Sequence, residues 1–209
     1  MATTHAIGGL TLAAAVAVVA PEFALVVAVA ALIGGFFPDF DLYVGHRKTL
    51  HYPVYYSLAA LLVGGLALVR PTVETVAVAA FLASAALHSV MDVFGGGLEL
   101  RPWERTSERA VYSHFHGRWL PPRRWVRYDG APEDVALASV LAVPGLLVFE
   151  GAVQAVLLAI LLISVGYATI RKPLVRVTER LVALVPAPLR RHLPDRFHPA
   201  TEGSDTVAG

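Results

Sequence analysis

Apolar positions along this chain come in long unbroken blocks, not in the short periods of a soluble domain. Six runs stand out, at residues 6–20, 23–37, 52–69, 73–94, 135–149 and 152–170. Helix-stopping chemistry separates several of them: Pro21-Glu22, Arg70-Pro71, Gly95-Gly96-Gly97 and Glu150-Gly151. The runs predict helices, with Pro144 kinking the fifth. The first two runs are about 15 residues each, about 23 Å as helix. That is short of a hydrocarbon core of about 30 Å, so flanking residues or local thinning of the bilayer must complete the span. The expected fold is an all-α membrane protein, a bundle of about six transmembrane helices over residues 1–170.

Three stretches depart from this pattern. Residues 98–133 form a polar loop with seven arginines and six aromatic residues, with short strands expected around 110–128 and a turn at Asp129-Gly130. Residues 171–185 read as a C-terminal interfacial amphipathic helix. Leu174, Val177, Leu181 and Leu184 share one face, and Arg176 and Arg180 lie elsewhere. Residues 186–209, rich in proline, arginine and small polar residues, are expected to be a disordered tail.

Composition agrees with a membrane protein. Hydrophobic residues make up 56% of the chain and charged residues 16%, against about 45–50% and about 25% in soluble domains. The mean hydropathy is +0.61. The absence of cysteine excludes disulfides, thiolate–zinc sites and a cysteine nucleophile. The amino end lacks the positively charged start of a signal peptide and is expected to remain in the mature chain.

The placement of positive charge gives an orientation. If all six runs span, only Arg70 of the 17 Lys and Arg falls on the side of the 1–2, 3–4 and 5–6 turns. The positive-inside rule then puts both termini, the 2–3 loop and the 4–5 loop in the cytoplasm, consistent with a plasma (inner) membrane location. The same count brings seven ionisable residues to that face: His5 at the start of span one, Asp39 and Asp41 after span two, His46 and His51 before span three, and His88 and Asp92 near the end of span four.

These seven are the candidate metal ligands. His88 and Asp92, spaced i, i+4, project from one helix face inside an apolar run, where an ionisable group needs a partner. A divalent cation is one such partner; a His–Asp hydrogen bond between helices is the other reading. Pro38-Asp39-Phe40-Asp41 also suits a plain turn. Mixed His and Asp ligation suits zinc or manganese foremost, and iron or cobalt as well. Seven candidates exceed one tetrahedral zinc site, so two ions with a bridging Asp are also open. A metal here lowers the pKa of bound water toward about 7. His46, Arg47, His88 and Asp92 are the candidate catalytic residues. Arg47 is suited to clamp a phosphate, or else serves with Lys48 as a topology determinant. His114 and His116 read as surface loop residues and are not counted as ligands.

In order, the chain carries Thr4-His5, then G-G-x-x-P-D-x-D from Gly34 to Asp41, then G-H-R-x-x-x-H from Gly45 to His51. A later H-x-x-x-D from His88 to Asp92 is followed by glycines and Arg101-Pro102-Trp103. This set, over about residues 4–103, resembles the YdjM-like membrane-bound metal-dependent hydrolases. The family's usual T-H-S is here Thr49-Leu50-His51-Tyr52. The resemblance implies metal-dependent hydrolase activity. The H-x-x-x-D pair also looks like part of zinc-dependent phospholipase C sites, by analogy only. The leading expectation is therefore a membrane-embedded hydrolase acting on a phosphoester or lipid, with membrane lipid as its partner and no nucleic acid. The alternatives are a metal transporter or sensor, and a non-catalytic scaffold binding anionic lipid through its basic face.

Overall fold

The computed structural model describes residues 1–190 together with His192, Leu193 and Phe197. Each apolar run folds as a helix. They are α1 (Ala2–Val19), α2 (Ala24–Phe36), α3 (Pro53–Val69), α4 (Val73–Met91), α5 (Pro132–Val148) and α6 (Gly151–Leu184), followed by a short α7 (Ala187–Arg190). Local chemistry sets the boundaries. Pro21 opens a 3₁₀ turn between α1 and α2. Thr72 and Thr75 form a reciprocal capping box at the start of α4. Pro132 at the first turn of α5, with Glu133 and Asp134 beside it, suits a helix N-terminus.

Four helical segments, Ala2–Val19, Pro21–Asp41, Val73–Phe94 and Gly151–Leu184, are long and apolar enough to cross a membrane. They mark the chain as a membrane protein. α3 is apolar but shorter. Its only buried residue is Pro53, and Leu58, Leu61, Leu62, Leu66 and Leu68 face outward. Water does not tolerate so continuous an apolar face, whereas lipid does.

α1 is the centre of the bundle. Its Ile7, Leu10, Ala13, Ala14 and Ala17 pack with Val27, Ala28 and Ala31 of α2, Ala138 and Ala142 of α5, and Leu157 and Ile160 of α6. Seven of these twelve are alanine, which allows the close van der Waals approach that helices in lipid gain from. The Ser84 hydroxyl of α4 adds a hydrogen bond to the Ala31 carbonyl at 2.6 Å.

The helices alternate in direction, which brings polar ends together. Thr4 in the first turn of α1 donates to Asp134 in the first turn of α5 at 2.5 Å. Asp129, just before α5, accepts from Arg171 and Tyr167 of α6. Strands β1 (Val111–Ser113) and β2 (Arg118–Leu120) pair antiparallel, Tyr112 opposite Trp119. The polar loop that carries them is sewn onto the end of α4: the amides of Arg123, Arg124 and Val126 donate to the carbonyls of Val93, Gly95 and Phe94.

The expected separation between a sixth run and an amphipathic helix at 171–185 is not present. α6 runs unbroken through Pro173. The proline lacks an N–H and ordinarily breaks a helix interior. Here ion pairs hold the helix on both sides of it, Arg171 to Asp129 at 3.1 Å and Arg101 to Glu179 at 2.5 Å. The expected tail at 186–209 begins with α7, and apart from the three residues named above the rest lies outside the described residues.

Candidate metal centre

The site is built where α2 and α4 end and α1 and α3 begin. Pro38 turns the end of α2 into a 3₁₀ segment, Phe37–Asp41. This segment sends two carboxylates in different directions. Asp39 faces the ends of α1 and α4, and its side chain keeps 23% exposure. Asp41 faces the following loop and is buried.

Asp41 organises that loop. Its Oδ1 accepts from the Arg47 amide (3.2 Å) and lies 3.2 Å from His46 Nδ1. Its Oδ2 accepts from the Leu50 amide (3.0 Å) and lies 3.0 Å from His51 Nδ1. One carboxylate thus fixes the fold of residues 42–51 and the orientation of both imidazoles. Arg47 sits in the left-handed region, with φ +58°, a conformation costing a non-glycine residue about 1–3 kcal/mol. Its surroundings hold it there. The Tyr112 amide of β1 donates to the Arg47 carbonyl (2.9 Å), and the guanidinium donates to the Gly96 carbonyl (2.8 Å) while reaching Asp92 at 3.1 Å.

At the centre, one ligand atom from each of Asp39, His51, His88 and Asp92 lies within 4.8 Å of every other. Asp92 Oδ2 is 3.2 Å from His51 Nε2 and 3.5 Å from His88 Nε2. Asp39 Oδ1 is 3.5 Å from His88 Nε2 and 3.9 Å from His51 Nε2. Ligand atoms about 2.1 Å from a tetrahedral ion stand about 3.4 Å apart, so these separations bracket the edge of such a site.

The hydrogen bonds of the imidazoles aim one nitrogen of each at the cluster. His88 Nδ1 lies 2.7 Å from the Gly35 carbonyl, which can only accept, so Nδ1 carries a proton and Nε2 is the nitrogen turned to the cluster. The Asp41 carboxylate does the same for His51. Such outer hydrogen bonds are the usual support of a metal-bound histidine. His51 Nε2, His88 Nε2 and Asp92 Oδ2 are buried without a hydrogen-bond partner. Unpartnered buried polar atoms are costly, and three of them converging on one point fit a cation. Electrostatics agree. Burial works against a charge on His51, but Asp41 and Asp92 outweigh it and raise its pKa above the ordinary histidine value. The field that favours a proton there favours a metal ion as well. A buried His/Asp cluster able to hold a metal is therefore present.

The other sequence candidates surround this group. Asp41 spends both oxygens on the loop and supports His51 from outside. His46 is held by Asp41, and burial pushes its pKa below the ordinary value despite that bond, which leaves it neutral near pH 7. His5 is buried with neither ring nitrogen hydrogen-bonded. It lies 3.5 Å from Asp92 Oδ1 and packs on the His88 ring at 4.0 Å. His114 and His116 stand apart from the cluster. His114 stacks on Tyr52 and donates to the Lys48 carbonyl at 2.7 Å, while His116 pairs with Ser113. His114 thus braces the loop that carries His46 and His51.

Sequence reasoning missed Glu99. Both its carboxylate oxygens are buried without a hydrogen-bond partner beside the site. The only sequence signal was an acid set between Leu98 and Leu100. It also missed the Gly35 and Gly96 carbonyls, because backbone groups carry no residue-type signal.

Asp41→Asn tests the outer support. The amide keeps the shape but offers only one acceptor oxygen for two imidazoles and two amides. The metal affinity of the purified protein, measured by competition with a chromophoric chelator, is expected to fall about 10–100-fold. An unchanged affinity would show that His51 needs no such support.

No family model, curated protein or solved structure matches this chain.

Proposed function

We propose that the chain is a membrane-embedded, metal-dependent hydrolase of the YdjM-like kind, acting on a phosphoester or lipid at the cytoplasmic face of the membrane. The observation that carries this is the convergence of Asp39, His51, His88 and Asp92, from three separate parts of the chain, at ligand spacing with imidazole nitrogens and a carboxylate oxygen unpartnered. Those four are the metal-holding group, with zinc or manganese the ions best suited to His and Asp together. Bound there, a divalent cation supplies Lewis acidity and acidifies water at the site.

The remaining residues divide the work. Arg47 is the anion clamp: its guanidinium is fixed by the Gly96 carbonyl and Asp92, and its planar fork matches a phosphate edge. His46, neutral and anchored through Nδ1, has its other ring nitrogen free to exchange a proton with substrate or water. The distribution of arginine and the alternation of the helices support six spans with both termini and the site on the cytoplasmic side. A transport role is disfavoured because transport sites lie near the bilayer midplane, whereas this cluster sits at helix ends.

The test uses the full chain purified in detergent, stripped with chelator and reloaded with zinc or manganese. Release of product from phospholipid phosphoesters is expected only in the reloaded protein. Activity that survives replacement of both His88 and Asp92 by alanine would sink this mechanism, and metal uptake into sealed vesicles without hydrolysis would favour a transporter.

A further inference from the structure

One cavity reaches the cluster and a second adjoins it. One, of about 540 Å³, has Asp39, Asp92 and Arg47 on one wall and Ile163, Leu174 and Val175 of α6 on the other. The second, of about 740 Å³, lies beside the hairpin and is lined by Lys48, Ser107, Glu108, Arg109 and Trp119. His46 and Glu99 line both. The two spaces differ in chemistry. The first continues onto apolar surface, since Ile163 and Leu174 are exposed on the outside of α6 while also lining it. The second carries ionic and hydroxyl side chains among Leu42, Leu98 and Trp119.

We propose that the two cavities form one site for an amphiphile, with its acyl chain along α6 and its headgroup in the polar cavity donating a hydrogen bond to Glu99. This rests on the hydrolase reading of the cluster and names the substrate class for it. The Glu99 carboxylate is the specific argument. A buried acceptor with no donor is unfavourable, and a headgroup bearing an ammonium or a hydroxyl supplies the donor. The rim supplies a second argument. Phe40, Tyr43 and Val44, on the loop that opens onto the polar cavity, are 69%, 75% and 73% exposed. Side chains of this kind belong at a lipid–water boundary, where both halves of an amphiphile are at hand. Ethanolamine lipids offer N–H donors and phosphoglycerol lipids O–H donors, whereas choline lipids offer neither.

The experiment is photolabelling of the full-length protein in maltoside detergent with a phosphatidylethanolamine carrying a diazirine on its acyl chain, mapped by peptide mass spectrometry. Label is expected to concentrate on residues 163–178, with or without chelator. Unlabelled phosphatidylethanolamine or phosphatidylglycerol should compete about fivefold better than phosphatidylcholine. Competition by the ethanolamine lipid alone identifies an ammonium, and by the glycerol lipid alone a hydroxyl. Leu174→Arg, with Ile163→Arg as a second variant on the same wall, should cut labelling severalfold, while Leu181→Arg, outside the cavity on the same helix, should not. Glu99→Leu should erase the headgroup preference. Label spread evenly over α3 and α6, equal competition by phosphatidylcholine, or an intact preference in Glu99→Leu overturns the proposal. Metal content is measured on the same samples. Lost labelling in a metal-loaded, active protein overturns this site alone, whereas focused labelling in a protein that binds no metal overturns the hydrolase reading.

Discussion

Asp92→Asn should reduce the metal content of the purified protein from about one ion per chain to background. No other residue of the cluster makes as many ion-pair contacts. Asp92 Oδ2 faces His51 and His88, and Oδ1 faces His5 at 3.5 Å and Arg47 at 3.1 Å. The substitution conserves volume, so the effect is one of charge. It removes an anionic ligand from the inner group and leaves the Arg47 guanidinium buried opposite a neutral amide. Breaking a buried ion pair by removing one partner costs about 3–5 kcal/mol. Elemental analysis of wild type and variant reads the first effect, and thermal unfolding in detergent reads the second. Metal retained at the wild-type ratio would mean that the ion, if any, is held elsewhere.

Gly34→Ala and Gly35→Ala are expected to loosen the bundle and, in the second case, the site. A Cβ on Gly34 would overlap the Phe81 carbonyl oxygen and lie 3.0 Å from the Phe81 carbonyl carbon and Cα. A Cβ on Gly35 would lie 2.7 Å from the Ala6 Cα and 3.1 Å from the His5 carbonyl. These obstacles are backbone, which cannot rotate away, so α2 must move off α4 or α1. Overpacking of this kind costs about 1–3 kcal/mol, or about 3–10 °C in Tm for a chain of this size. Because the Gly35 carbonyl also orients His88, Gly35→Ala should weaken metal binding beyond its effect on Tm. Gly64→Ala and Gly65→Ala on α3, where nothing lies within 4 Å of the added carbon, are the controls and should leave both measurements unchanged. A Gly34→Ala protein as stable as the controls would contradict the close approach of α2 and α4.

The consequence for function is that packing and chemistry share residues. The glycines that let α1, α2 and α4 approach are neighbours of the groups that hold Asp39 and His88 in place. The hairpin contributes from the other side, through Tyr112 on the Arg47 carbonyl and His114 on the Lys48 carbonyl. The left-handed Arg47 is therefore held by contacts from two distant segments, which explains how a strained residue persists at the centre of the site.

The positions of the helices were legible in the chain itself, because apolar runs and proline or glycine breaks are local signals. The gathering of His5, Asp39, His51, His88 and Asp92 at one end was legible too. Successive runs that each span a membrane must alternate in direction, and counting them assigns each polar residue to an end. Tertiary structure alone decided the division of labour. Asp39 and Asp41 are two residues apart and alike in sequence, yet the 3₁₀ turn aims one at the cluster and the other at the loop. The sixth run and the amphipathic stretch read as two elements, but ion pairs from Asp129 and Arg101, remote in sequence, carry α6 through Pro173 as one helix. Glu99 gave no signal because its isolation from donors is a property of the surrounding fold. Periodicity and spacing report what a segment does by itself. Which oxygen faces which nitrogen depends on how closely segments pack, and here backbone-to-backbone contacts at Gly34 and Gly35 set that distance.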